Sequence, residues 1–378
     1  MNALRPFKRI RNEIGKVQSE IAKTREEIIS NIGLDIRNAL AYNILRDSNL
    51  AYKDELLMAL YPKNGGKVGV TSDFATMKRY LNAVRPVRVK NLVRVGGEND
   101  GGYVMINPKI DLLNKLGNSF SGSHSADLSQ DYGANPVVSM NFTRESRDSG
   151  AIPPPPIDKI APYLLDNPPL INFNRNQPKA VSLGVSPYSP WDLDMANVGF
   201  QVLQYDASID KAPYNHPNIT FHKKFVGVKD SHDTISFANL LAQNDFSPNA
   251  CNVLQCDIED CEWEILENID LSQMAQYFPQ VLFEFHKCYL DNESFAERRL
   301  AVLERLKEYY TPIHTHFNCF GAVYYANGYF WGAVVEVSYL RNDLVDSAAK
   351  LLSGVGNLYL DTPNAKGYSD IPVIFDDF

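Results

Sequence analysis

The sequence predicts an α/β protein, a mostly parallel sheet with helices on both faces that carries an N-terminal helical extension and a large proline-rich insertion. Three observations lead there. Apolar runs of strand length, KAVSLGV, QVLQYDAS, NVLQCDI and QVLFEFH, recur from Lys179 to His286. Segments of helical pattern separate them or follow, FAERRLAVLERLKEYY being the clearest. A chain of 378 residues with 44% hydrophobic content can also bury a full core.

In chain order, residues 1–60 read as the helical extension. Ile10, Ile14, Val17 and Ile21 step by four, three and four, with Thr24 and Ile28 continuing the rhythm. That pattern is either a short coiled-coil seam making a homo-oligomer or an amphipathic helix on its own domain. Arg5, Lys8, Arg9, Arg11 and Lys16 suit either a peripheral contact with an anionic membrane or a solvated helix end. Residues 61–108 form an opening segment in which LVRVGGENDGGYVMINP reads as strand, tight glycine turn, strand. Residues 109–178 are the insertion, a lid in expectation, because a run such as Pro153 to Pro156 denies regular structure.

The core is expected over 179–345. After the first strand, SPWDLDMANVG is a helix with Ser189 as N-cap, Pro190 at its first position and Gly199 as its stop. QVLQYDAS is the second strand, FHKKFVGV the third, Asp233 to Gln243 a helix, and NVLQCDI the fourth strand. EWEILENI is a helix, QVLFEFH the fifth strand, and PIHTHFN and GAVVEVSYL close the series after the long helix. Residues 346–378 read as a C-terminal tail.

A formal charge of −8 argues against a nucleic-acid partner. No stretch is apolar for the roughly 18 residues a membrane span needs, and the N-terminus lacks the apolar core of an export signal, so a cytoplasmic protein, at most peripheral to the inner membrane face, is expected. Cys251, Cys256, Cys261, Cys288 and Cys319 include no C-x-x-C pair and read as reduced thiols.

In sheets of this kind ligands sit beyond the carboxyl ends of the strands. Gly184 and Ser186 follow the first strand, and Asp206 ends the second about 20 residues later, the spacing of an acid that grips ribose hydroxyls. Asp257 ends the fourth strand in CDIEDCEWEIL, Glu259 following with an open role and Glu262 and Glu264 reading as helix-dipole or solvent partners. The fifth strand ends in Glu284 and His286, and the sixth in His314, His316 and Asn318, alternate residues sharing a face. These groups can act as general base and orienting acid, or hold a divalent metal through Asp257, Glu284, His286 and His314.

Taken in order, LVRVGGENDGGYVM, VSLGVS with WDLDMA, QVLQYDAS, CDIEDCEWEIL, VLFEFH, HTHFN and VVEVSYLRND resemble the FkbM-like S-adenosylmethionine-dependent methyltransferases, more narrowly the methyltransferase-like proteins with a GGxNDGGY opening. The resemblance spans about Leu92 to Asp343 and implies a Rossmann-like class I methyltransferase core. It puts Gly184, Ser186, Asp206, Asp257, Asp100, Gly101, Gly102 and Tyr103 at the cofactor, with Gly96 and Gly97 also in the opening motif. His286, His314, Glu284 and Asp257 take the catalytic positions, and His316, Asn318 and Glu259 the acceptor. Asp260 departs from the family's glycine in D-x-E-G, and Cys319 replaces its second asparagine. The implied activity is O-methyl transfer to a cell-surface glycan, capsule group or related small acceptor, with either His286 or His314 as base. Two rivals stay open: a metal-dependent glycosyltransferase using Asp192-Leu193-Asp194, and a non-catalytic partner that keeps the fold.

Overall fold

A computed structural model describes residues 68–71, 73–89, 92–97, 101–106, 177–356, 360–365 and 370–376. The extension expected over 1–60, Asp100, and the insertion expected over 109–178, apart from 177 and 178, lie outside these described residues. No described helix is long and apolar enough to cross a membrane.

β1 (Val68–Val70) and α1 (Phe74–Ala83) precede the antiparallel hairpin of β2 (Leu92–Arg94) and β3 (Val104–Ile106). Then come β4 (Lys179–Leu183), α2 (Pro190–Val198), β5 (Gln201–Tyr205), β6 (Ile219–His222), β7 (Phe225–Gly227), β8 (Thr234–Ser236) and α3 (Phe237–Gln243). β9 (Val253–Cys256), α4 (Cys261–Asn268), α5 (Leu271–Tyr277), β10 (Gln280–Phe285), α6 (Glu293–Lys307) and β11 (Tyr310–Phe317) follow. β12 (Val323–Ala326), β13 (Tyr329–Gly332), β14 (Val335–Arg341), β15 (Gly354–Val355) and β16 (Ile374–Phe375) complete the described order.

Seven of these strands form one sheet in the order β11-β14-β10-β9-β4-β5-β6. β10, β9, β4, β5 and β6 pair in parallel, and β14 runs antiparallel between β10 and β11. The chain lays β5 and β6 on one side of β4, then crosses to lay β9 and β10 on the other. A crevice opens at such a reversal, beyond the carboxyl ends of β4 and β9. β9 and β10 are buried at every position, as central parallel strands covered on both faces must be. Val95, Tyr103 and Met105 from the hairpin pack with Trp191 and Met195 of α2 and with Val202, Val253 and Leu282 of the sheet.

α2 starts at Pro190 and stops at Gly199, whose φ of 107° needs no side chain to be accommodated. Ser189 stands at the N-cap, but its hydroxyl bonds to Ser186 instead of capping the helix. The third sheet strand is Ile219–His222, not the expected FHKKFVGV. Lys224 N donates back to His222 O there, and Phe225–Gly227 turns out to pair with Thr234–Ser236. The helix expected from Asp233 begins at Phe237, because Ser236 accepts from Asn239 N and caps it. The segment read as a tail is built into the protein: Asp361, Asp370, Ile371, Val373 and Phe375 are buried.

Candidate functional site

The chain reversal fixes the first part of the site. Gly184 has φ +83°, and a Cβ there would fall on the carbonyl oxygen of Asp257. Only glycine lets the end of β4 lie so close to the end of β9. Gly184 N donates to Tyr205 O at 3.1 Å and Asp257 N to Leu183 O at 2.9 Å, so three strand ends are tied together. Asp206, at the end of β5, accepts from Val185 N at 2.9 Å through one carboxylate oxygen and from Ser208 N at 2.6 Å through the other. Two such bonds leave a carboxylate with acceptor sites to spare. Ser186 is exposed beside this turn, its Oγ accepting from Tyr188 N.

The second part converges on His286. Its Nδ1 lies 3.3 Å from Oε1 of Glu262, which also accepts from His286 N at 2.7 Å. Glu262 is fully buried, and its second oxygen accepts from Asp260 N at 2.8 Å. On the other side of the ring, Nε2 faces Glu259 Oε2 at 3.5 Å, Asp257 Oδ1 at 3.6 Å and Glu284 Oε1 at 3.7 Å. Tyr103 donates its hydroxyl to Glu284 Oε2 at 3.2 Å, and Asn318 Nδ2 donates to Glu284 Oε1 at 2.7 Å. The hairpin, β10 and the end of β11 therefore share one carboxylate.

Burial sets the electrostatics. It raises Asp257 to about 7, with the carboxylates around it adding to the effect and His286 opposing it. It drives Glu284 well above the ordinary carboxylate range, with Asp257 and Glu336 as further causes. Burial pulls His286 down, but Glu262 foremost, with Asp257 and Glu259, outweighs that and leaves the imidazole more basic than usual. The arrangement can accept a proton, or hold a cation between imidazole and carboxylates.

His314 and His316 lead elsewhere. His314 Nε2 lies 2.7 Å from Asp361 Oδ1, at an angle short of hydrogen-bond geometry. His316 is fully buried with Glu336 Oε2 at 3.0 Å from one ring nitrogen and Asp370 Oδ1 at 2.6 Å from the other. Neither ring nitrogen of His316 is left for an acceptor. Gly102 N donates to Glu336, and a Cβ on Gly102 would strike His316. The glycine turn of the opening motif is thus seated on these histidines, and Arg94 holds it from behind through Gly97 O at 2.9 Å and Gly101 O.

The Asp192-Leu193-Asp194 motif points inward. Asp192 accepts from Gln204 Nε2 at 2.5 Å and Asp194 from Gly96 N at 2.9 Å, and burial raises each to about 6. Both carboxylates are buried structural supports, Asp192 against Gln204 of β5 and Asp194 beneath the hairpin at Gly96.

Sequence reasoning missed Glu262, Asp361, Asp370 and Glu336. Glu262 was expected to face the dipole or solvent, whereas a side chain in the first helical turn leans back toward the N-terminus and here reaches the His286 loop. No sequence pattern marks Asp361 and Asp370 as partners of strand residues so distant in the chain.

No protein-family model matches the chain. Among known proteins, "Probable methyltransferase-like protein 24" of Homo sapiens is 27% identical over 126 residues, covering 30% of this chain and 34% of that protein. The Rattus norvegicus protein of the same name is 27% identical over 120 residues, covering 29% and 33%. The match spans about a third of the length of these relatives.

Proposed function

We propose that the protein is an S-adenosylmethionine-dependent O-methyltransferase acting on a cell-surface glycan, a capsule group or a related small acceptor. The observation that carries this reading is the meeting of three features at the strand-order reversal: the glycine turn at Gly184, the buried Asp206 carboxylate, and the acid-imidazole cluster of Asp257, Glu284 and His286. The sheet order and the likeness to methyltransferase-like proteins support it. The residues fit the cofactor: backbone can approach closely at Gly184, and Asp206 keeps acceptor capacity for ribose hydroxyls.

When bound, S-adenosylmethionine supplies a methyl group whose bond to sulfur breaks, the electron pair staying on sulfur, as the acceptor oxygen forms its new bond to carbon. The chain's share is alignment and proton removal. Asp206 and the Gly184 turn hold the nucleoside end. The cluster around His286 Nε2 receives the acceptor's hydroxyl proton, with Glu262 fixing the ring and Tyr103 and Asn318 fixing Glu284. The cluster also argues against a non-catalytic partner, because a retired site has no use for buried carboxylates packed around one imidazole.

Calorimetric titration with S-adenosylmethionine and with nucleotide sugars tests the reading. Binding of the former alone is expected, weakened about 10- to 100-fold in Asp206→Ala by loss of charged hydrogen bonds. Binding of a nucleotide sugar alone would refute it. Labelled methyl donor with extracted surface glycan then identifies the acceptor.

A further inference from the structure

We infer that Asp257, Glu284 and His286 form a binding site for one divalent first-row cation of mixed nitrogen and oxygen preference, with Glu259 as an additional oxygen donor at its open edge. Donor atoms of the three residues lie within 4.8 Å of one another. The site does not depend on whether a methyl donor binds, and a cation and a proton compete for His286 Nε2, so the cation-bound and proton-accepting forms are alternative states of one cluster.

Three independent features of the geometry lead to it. First, His286 Nε2 is held against acids without bonding to them. The residue is 8% exposed, yet among the described residues this nitrogen makes no hydrogen bond. It faces oxygens of three separate side chains at 3.5, 3.6 and 3.7 Å. A hydrogen bond would draw one of these oxygens in to about 2.9 Å. Neighbouring donors around a shared ion, with bonds of roughly 2.1 Å, stand about 3.0 to 3.4 Å apart. The observed spacing lies just beyond that range, and small side-chain rotations close it.

Second, the far side of the ring is arranged as metal-binding imidazoles are. Nδ1 turns to a fully buried carboxylate, Glu262, which fixes the ring with Nε2 directed toward the gap. Glu284 is likewise steadied from outside by Tyr103 and Asn318. Supports of this kind orient ligands and cost little at the centre.

Third, the charge is uncompensated. Four carboxylates, those of Asp257, Glu259, Glu262 and Glu284, surround one imidazole. The nearby Lys287 and Arg299 both turn to Asp260 instead, at 2.8 and 2.5 Å. Crowding four carboxylates around a single imidazole leaves a repulsion that one imidazolium cannot cancel and a dication can. One imidazole with several carboxylates suits Mn²⁺ better than an all-oxygen ion such as Ca²⁺ or an all-thiolate one. Asp257 and Glu259 keep side-chain exposures of 32% and 87%, so an ion has a path in and an open face toward an acceptor.

The test is Mn²⁺ titration of the full chain without methyl donor, read by the electron paramagnetic resonance of free Mn²⁺ and by nitrogen electron spin echo modulation of the bound ion. One saturable site with a nitrogen modulation is expected. His286→Gln should abolish the modulation, and Asp257→Asn combined with Glu284→Gln should abolish binding. Glu262→Gln, a positioning change, should weaken binding about 10- to 100-fold with unaltered circular dichroism. Glu264→Gln, exposed on the same helix, should change nothing. If His286→Gln fails to fold, Asp257→Asn, at a partly exposed carboxylate, carries the test alone through at least tenfold weaker binding. No saturable binding up to millimolar Mn²⁺, binding without nitrogen modulation, or binding indifferent to the Asp257 and Glu284 changes overturns the assignment. Because methyl donor is absent throughout, loss of the methyl-transfer reading would leave these outcomes unaffected.

Discussion

At the scale of single residues, two backbone positions carry the site. Gly184→Ala sets a methyl group against the Asp257 carbonyl at a φ of +83°, so strain and collision act together. The expected cost is about 3 kcal/mol or more in urea denaturation. Asp260 is the more informative case. It stands where the resembling family keeps glycine, and it adopts φ 90° and ψ −14°, a conformation that glycine takes freely. Its carboxylate offsets the strain by pairing with Lys287 and with Arg299, whose guanidinium also lies 4.6 Å over the Trp263 ring. Replacing it therefore separates two effects. Asp260→Gly relieves the backbone and loses the ion pairs, while Asp260→Ala loses the pairs and keeps the strain. Stability should fall in the order wild type, glycine, alanine, the last two about 1 kcal/mol apart. An alanine variant as stable as the glycine one would show that the backbone there is not strained.

At the scale of elements, the hairpin of β2 and β3 links the sequence motif to the sheet. Gly102 has no room for a methyl group between the turn and His316, so Gly102→Ala should lift the hairpin, weaken the Tyr103 contact to Glu284 and cost about 1 to 3 kcal/mol in denaturation. A variant of wild-type stability would mean that this turn is not seated as described. The central strands were legible in the sequence because strands buried on both faces read as apolar runs, and the acids at their ends were legible because those positions break the run. β6 was misplaced because the strand is partly exposed and the two lysines that follow it, Lys223 and Lys224, sit in the middle of the run FHKKFVGV, which spans its end and the separate strand β7. The hairpin of β12 and β13 was overlooked although Asn327-Gly328, at φ 51° and 89°, is the two-residue turn that such hairpins favour. Glu262 could not be found this way. Its burial depends on where the loop after β10 passes over α4, a tertiary fact with no local signature.

At the scale of the whole molecule, the C-terminal segment closes the side of the sheet that bears β11 and β14, and it does so through charge. His316 lies between Glu336 and Asp370. Burial alone would discharge the ring, but Asp370 and Glu336 outweigh it and hold the imidazole well above its ordinary pKa. Burial likewise pushes Glu336 up, and His316 wins and holds it below the usual carboxylate value. One imidazolium cannot neutralise both acids, so Asp370 stays raised, by burial first and by Asp361 in addition. The signs then follow. The raised His316 contributes stability fully below its unfolded pKa of about 6.5 and loses it as pH rises through the folded value. The depressed Glu336 contributes above its unfolded pKa of about 4.3 and loses it as pH falls through the folded value. His316→Gln leaves two buried carboxylates facing each other with no cation, at an expected cost of about 3 to 5 kcal/mol near neutral pH. Their folded pKa values then rise, so the variant recovers as pH falls and the acids take up protons. Urea denaturation of wild type and variant at pH 7.5 and 4.5 should show a deficit that shrinks at the lower pH. A deficit of equal size at both would mean that His316 acts there by shape and that its charge plays no part.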